Sequence, residues 1–148
     1  MNATLLPAGV SLKLAANTVA DLMTASPVSL REDATITDAI ACLTDRGISG
    51  APVIDSAGRA IGVITEADVT VHARERIKGW SSEEDERTFV RDVMTPAVFT
   101  LRPDAPAVAA IEHMRALNVH RIFVVDAAGT LVGVVTALDV LRHLEVPD

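Results

Sequence analysis

Apolar residues follow two rhythms along this chain. Short continuous runs, Ala51 to Asp55 and Ala60 to Ile64, then Ile122 to Asp126 and Leu131 to Val135, predict strands covered on both faces. Asp55-Ser56-Ala57-Gly58 and Asp126-Ala127-Ala128-Gly129 join the members of each pair, and Asp-x-x-Gly suits a type I turn followed by a glycine with positive φ, so each pair is a hairpin. Other stretches place apolar residues about 3.6 apart and predict helices: Ile36, Ala39, Ile40 and Leu43, and later Val108, Ile111, Met114 and Leu117. Thr35 is a candidate N-cap for the first with Asp38 three residues on; Asp104 is the candidate cap for the second, with Pro106 in its first turn. Gly47 and Asn118 stand where each helix wants a left-handed terminal residue. Short extended segments, Pro27 to Leu30 and Val98 to Leu101, precede these helices. A closing helix follows each hairpin, with Val69, Val71 and Ile77, then Val140, Leu141 and Leu144, as its apolar residues.

The halves are copies. Shifting the sequence by 71 residues lays Asp21-Leu22-Met23-Thr24 on Asp92-Val93-Met94-Thr95 and runs without a gap to Val69 and Val140, with 18 identities over 49 positions. The order strand, helix, strand, strand, helix occurs twice, which gives an α+β fold of two tandem β-α-β-β-α units. The expected organisation is a leader at 1–18, a first unit at 19–78, a charged linker at 79–89 and a second unit at 90–148. Pro7-Ala8-Gly9 predicts an irregular start, with Leu12, Leu14 and Val19 available to pack on the body. In the linker, Gly79 should end a helix and Ser81 or Ser82 cap a short one, while Trp80 fits a staple to the body or a subunit contact.

Composition narrows the function classes. With 49% hydrophobic and 22% charged residues, the 148-residue chain can bury a core, filled by aliphatic side chains because only 3% are aromatic. A net charge of −7 and the lack of a basic stripe speak against nucleic acid or an anionic membrane as the partner. No apolar run is long enough to span a bilayer, and Lys13 follows the most apolar part of the leader, the wrong order for a secretory signal; a cytoplasmic location is expected. Cys42 is alone and reads as core filler. The four histidines are scattered without the i, i+4 spacing of a helical metal site, no glycine motif has the lysine of a triphosphate-hydrolysing loop, and no nucleophile sits beside a local base. No metal site and no enzyme activity are expected.

The chemistry that remains lies in a doubled motif, Gly62-Val63-Ile64-Thr65-Glu66-Ala67-Asp68 and Gly133-Val134-Val135-Thr136-Ala137-Leu138-Asp139. Each ends a strand and opens a helix, where unpaired backbone N–H groups and the helix dipole attract an anion. Thr65 and Thr136 add a hydroxyl donor, and the oxygens of Asp68 or Asp139 can accept both hydroxyls of a ribose. The competing account is a helix cap, Thr-x-x-Asp, in each unit. Recurrence of the aspartate by duplication favours two binding sites over one acid–base pair.

The doubled Gly-x-x-Thr-x-x-Asp, the Asp-x-Met-Thr corners, Gly50 to Asp55 and His120 to Asp126 together resemble a pair of cystathionine β-synthase (CBS) domains, a Bateman module, over about Val19 to Leu144. That resemblance implies two units packed through their sheets about a pseudo-twofold axis, with two clefts between them that take an adenosine-containing regulatory ligand: AMP, ADP or ATP, with S-adenosylmethionine or NADH as alternatives. It implies ribose held by Asp68 and Asp139, phosphate helped by Thr65 and Thr136, adenine near Thr24 and Thr95, and a pocket lined by Ile48, Ala51, Val119 and Ile122. His120-Arg121, absent from the first unit, is similar to a His-Arg pair that faces phosphate in the regulatory subunit of AMP-activated kinase, and guanidinium geometry suits that role. Further implications are a homodimer and a regulated protein partner. A structural dimerisation module without ligand is the alternative.

Overall fold

The structure, a computed structural model, describes residues 11–76 and 88–146. Expectations for the first ten residues, Ile77, Gly79, Trp80, Ser81 and Ser82 lie outside the described residues. The first half comprises β1 (Lys13–Leu14), α1 (Val19–Leu22), β2 (Thr24–Ala25), β3 (Leu30–Arg31), α2 (Ile36–Arg46), β4 (Gly50–Ile54), β5 (Ala60–Thr65) and α3 (Glu66–Arg76). The second comprises α4 (Val90–Val93), β6 (Thr100–Leu101), α5 (Ala107–Leu117), β7 (Arg121–Val125), β8 (Leu131–Thr136), α6 (Ala137–Arg142) and β9 (Leu144–Glu145).

Local chemistry fixes the ends of these elements. Thr35 caps α2 reciprocally: Asp38 N donates to Thr35 Oγ1 at 3.1 Å and Thr35 N to Asp38 Oδ2 at 3.1 Å. The counterpart of Thr35 is Pro106, and it, not Asp104, is the N-cap of α5; its ψ of 138° is extended and its side chain has no bond to give. In each unit the first helical N–H is instead satisfied from the segment before the other unit, Ile36 N by Thr88 O and Ala107 N by Asn17 O, both at 3.0 Å. Gly47 (φ 62°) and Asn118 (φ 53°) end the helices in the left-handed region. In the hairpins Asp55 Oδ1 accepts from Ala57 N and Arg59 N, and Asp126 Oδ1 accepts from Ala128 N and Thr130 N.

The sheets interlock the units. β3 runs parallel to β4 and β4 antiparallel to β5, with β6, β7 and β8 repeating the pattern. The outer position beside β8 is taken by β2 from the first half, pairing Thr24 with Val134, and the matching position beside β5 is taken by Thr95, bridged to Val63. The short helices cross over with these segments: Val19 and Leu22 are buried among Ala107, Ala110, Val124 and Val135, and Val90 among Ile36, Ala39, Leu43 and Val53. Close approach at each crossing requires a glycine. A Cβ at Gly62 would lie 2.7 Å from Met94 Sδ and 2.8 Å from Thr95 O, and one at Gly133 would lie 2.6 Å from Met23 Sδ. The hairpin tips also join, Ala60 N to Gly129 O and Leu131 N to Gly58 O.

The inward face of α5 keeps Ile111 and Met114 of the expected stripe but takes Ala107 and Ala110 in place of Val108. Ala107 and Ala110 are buried with Ile111 and Met114 beside them, while Val108 is half exposed, because the helix starts at Ala107 as α2 starts at Ile36. In the closing helices Val140 is buried, whereas Val71 and Leu141 face outward. Leu144 lies beyond α6 in β9, paired with Leu14 of the leader.

Candidate functional site

Both aspartates of the doubled motif are helix caps. Thr65 N and Oγ1 donate to Asp68 Oδ2 at 3.0 and 3.1 Å, and Thr136 N and Oγ1 donate to Asp139 Oδ2 at 2.8 and 3.0 Å. The reverse bonds, Asp68 N to Thr65 Oγ1 and Asp139 N to Thr136 Oγ1, complete each cap. Each aspartate keeps its second oxygen for other use, and here the units part. Asp68 Oδ1 accepts from the hydroxyl of Thr95 on the crossing segment at 3.1 Å. Among the described residues, no hydrogen bond reaches Asp139 Oδ1.

Asp139 borders a cleft of about 590 Å³ built from both halves. The first half contributes Thr24 from the crossing strand β2, and Ile48 and Ser49 from the turn between α2 and β4; the second contributes Arg121 at the start of β7, Thr136 at the end of β8 and Asp139 and Arg142 on α6. Arg121 reaches across the pseudo-dyad, donating from Nη1 to Gly50 O at 2.9 Å and from Nη2 to Ser49 Oγ. Gly50 is its own counterpart in the repeat, and a Cβ there would lie 2.9 Å from Arg121 Nη1. One arginine thus fills the space where its duplicate would otherwise project. The cleft combines carboxylate, hydroxyls and two guanidinium groups with apolar walls, a set able to hold a sugar, an anion and a flat apolar ring together.

Asp68 borders a separate pocket of about 320 Å³ between α3 and α4, with Ala67, Val71, His72, Asp92 and Val93. Thr65 and Thr95 meet at Asp68 through the bonds above. Val119 and His120 line neither cleft; His120 is exposed and uses its carbonyl to accept from Ala137 N at 3.0 Å. Ala51 and Ile122, expected to line the pocket, are fully buried and face the interior instead. Strand alternation is the reason: with Gly50 and Arg121 on the cleft side, the cleft receives Pro52 and Phe123, two residues on. The same period-two rule could have found these two from sequence. Arg142, one helical turn beyond Asp139, was also missed and was legible from its i, i+3 spacing.

A protein-family model described as CBS domain matches residues 19–75 and 90–146. Inosine-5'-monophosphate dehydrogenase of Methanocaldococcus jannaschii is 33% identical over 129 residues, covering 87% of this chain and 23% of that protein. The A-adding tRNA nucleotidyltransferase of Aquifex aeolicus is 35% identical over 127 residues, 86% of this chain and 14% of that protein. The chain therefore spans less than a quarter of the length of either relative. Among solved structures, CBSX2 in complex with AMP superposes with a TM-score of 0.72 at 27% identity, covering 86% of this chain and 95% of that one. The cytosolic domain of the Mg2+ channel MgtE in complex with ATP gives 0.69 at 30% identity, covering 85% and 48%. No helix among the described residues is long and apolar enough to cross a membrane.

Proposed function

The chain belongs to the CBS-domain family, and from that premise we propose that it is a non-catalytic cytoplasmic module that binds an adenine nucleotide between its two units and signals occupancy to a regulated protein. The observation that carries this reading is the composition of the larger cleft. Thr24 and Ile48 of one half face Arg121, Thr136 and Asp139 of the other, so a ligand there contacts both units at once. Signalling follows if the ligand binds one packing of the units more tightly than another. The AMP and ATP complexes of the two structural relatives are consistent with this ligand class. In the same reading two chains associate through α3 and α6, whose Val71, Leu138 and Leu141 are about half or more exposed.

Thermal denaturation with AMP, ADP, ATP, S-adenosylmethionine and NADH tests the proposal. A ligand that binds only the folded chain adds about 2.7 kcal/mol at a hundred times its dissociation constant, so the midpoint should climb with AMP, ADP or ATP. A midpoint unmoved by every member of the panel would leave a ligand-free dimerisation role in its place.

A further inference from the structure

The leader stands before the first unit in sequence, yet it is bonded to the second. Leu14 pairs with Leu144 in the β1–β9 ribbon, Ala15 N donates to His143 O at 2.7 Å, and Thr18 bridges Pro106. Leu14 and Ala16 pack beside the core of Ala107, Ala110, Val124 and Val140. The copies part where the leader lands. α3 runs for eleven residues, whereas α6 ends after six and the chain turns into β9. In the 71-residue offset Leu144 of β9 falls on Ala73, inside α3. One position of the repeat is therefore helix in the first copy and strand in the second, and the strand is the form that pairs with the leader.

We propose that residues 13–18 are a strap that holds α6, and with it Asp139, and that docking of the strap and nucleotide binding favour each other. The proposal rests on the adenine-nucleotide reading above and adds to it the element that responds to occupancy. A six-residue helix has too few internal bonds to persist alone, so the place of α6 is set at its two ends. Its start is the Thr136–Asp139 cap. Its end is His143, whose backbone N donates to Val140 O at 3.0 Å and whose Nδ1 donates to Asp139 O at 2.8 Å, while its own carbonyl accepts from Ala15 N. Asp139 thus sits one helical turn from the strap. A two-residue ribbon opens locally far more readily than the chain unfolds, which supplies the second state. Opening takes Ala15 from His143 and Leu14 from Leu144, and α6 is then held at its start alone. A ligand at Asp139 favours the docked state, and by linkage the factor by which docking tightens the ligand is the factor by which the ligand tightens docking.

Amide hydrogen exchange of the full chain, read by NMR at Ala15 with and without saturating AMP, tests this. Glu32 N, bonded to Ile54 O in the first unit, is the reference. AMP is expected to slow exchange at Ala15 by about fivefold or more beyond any slowing at Glu32. Leu14→Ser, which removes the apolar partner of Leu144, is expected to speed exchange at Ala15 and to weaken AMP in calorimetry by about fivefold. The comparison of Ala15 with Glu32 needs no variant and decides the matter alone should Leu14→Ser not fold. AMP binding with Ala15 slowed no more than Glu32, or a folded Leu14→Ser that binds AMP as the native chain does, would overturn the strap and leave nucleotide binding intact. Absence of AMP binding to the native chain in calorimetry would overturn both the strap and the reading on which it rests.

Discussion

Gly62 and Thr95 stand so close that a single methyl group at the glycine would lie 2.8 Å from the threonine's carbonyl oxygen. Val63 N donates to that same oxygen at 2.9 Å, and Thr95 N returns a bond to Val63 O at 2.8 Å, so the crossing segment cannot retreat without breaking its bridge. Gly62→Ala is expected to destabilise the chain by about 1–3 kcal/mol. Gly133→Ala should cost less, because its clash is chiefly with the Met23 sulfur, a movable side chain, and Thr24 O is 3.1 Å away. Urea denaturation of the two variants checks the order; an equal or reversed ranking would count against the crossing as the site of constraint.

Exchange of α1 and α4 also couples the halves. Val19 and Val90 are fully buried, each in the core built mostly by the opposite half. Val19→Ala and Val90→Ala are each expected to cost roughly 1–3 kcal/mol and to lower a single cooperative transition. Calorimetry showing two separated transitions, each sensitive to one variant, would contradict this coupling.

Capping distinguishes the two core helices. Thr35→Ala removes the side-chain acceptor of Asp38 N and should cost about 1 kcal/mol. Asp104→Ala should change stability by less than about 0.5 kcal/mol, since Pro106 is the cap of α5. Equal losses in chemical denaturation would restore Asp104 as a cap.

Asp55 provides a test by pH. Backbone hydrogen bonding from Arg59 first, then from Ala57, with the Arg59 side chain adding to it, holds its carboxyl below the ordinary 3.8. A lowered folded value means that the carboxylate's contribution to stability is complete above 3.8 and is lost as pH falls through the folded value. Carboxyl NMR titration should find Asp55 below 3.8, and Asp55→Asn should flatten the acid limb of the stability curve. A midpoint at or above the ordinary value would contradict the turn geometry.

Much of this architecture was legible because it depends on local chemistry. Thr35 with Asp38, the left-handed Gly47 and Asn118, and the Asp55 and Asp126 turns each write their structure within a few residues. The 71-residue offset then carries the pattern from one half to the other. Crossing of Met23-Thr24 and Met94-Thr95 to the opposite sheet was not legible, because either sheet offers the same Gly-Val-Ile or Gly-Val-Val edge to either segment. The offset did hold an unused hint at α5: aligning Pro106 with Thr35 gives the cap and the buried Ala107–Ala110 face directly. The doubled aspartates suit both a cap and a sugar ligand; the structure shows the cap in both, with Asp68 Oδ1 accepting from Thr95 and, among the described residues, no hydrogen bond to Asp139 Oδ1.

The central claim is that an adenine nucleotide lies between the two halves with its ribose at Asp139. A crystal structure of the chain grown with AMP measures this directly. The account predicts nucleotide in the cleft bordered by Thr24, Ile48, Arg121 and Asp139, with a ribose hydroxyl within hydrogen-bond distance of Asp139 Oδ1 and the phosphate beside Arg121. Nucleotide bound elsewhere, or an Asp139 carboxylate that touches only Thr136 while the cleft holds water, would contradict it.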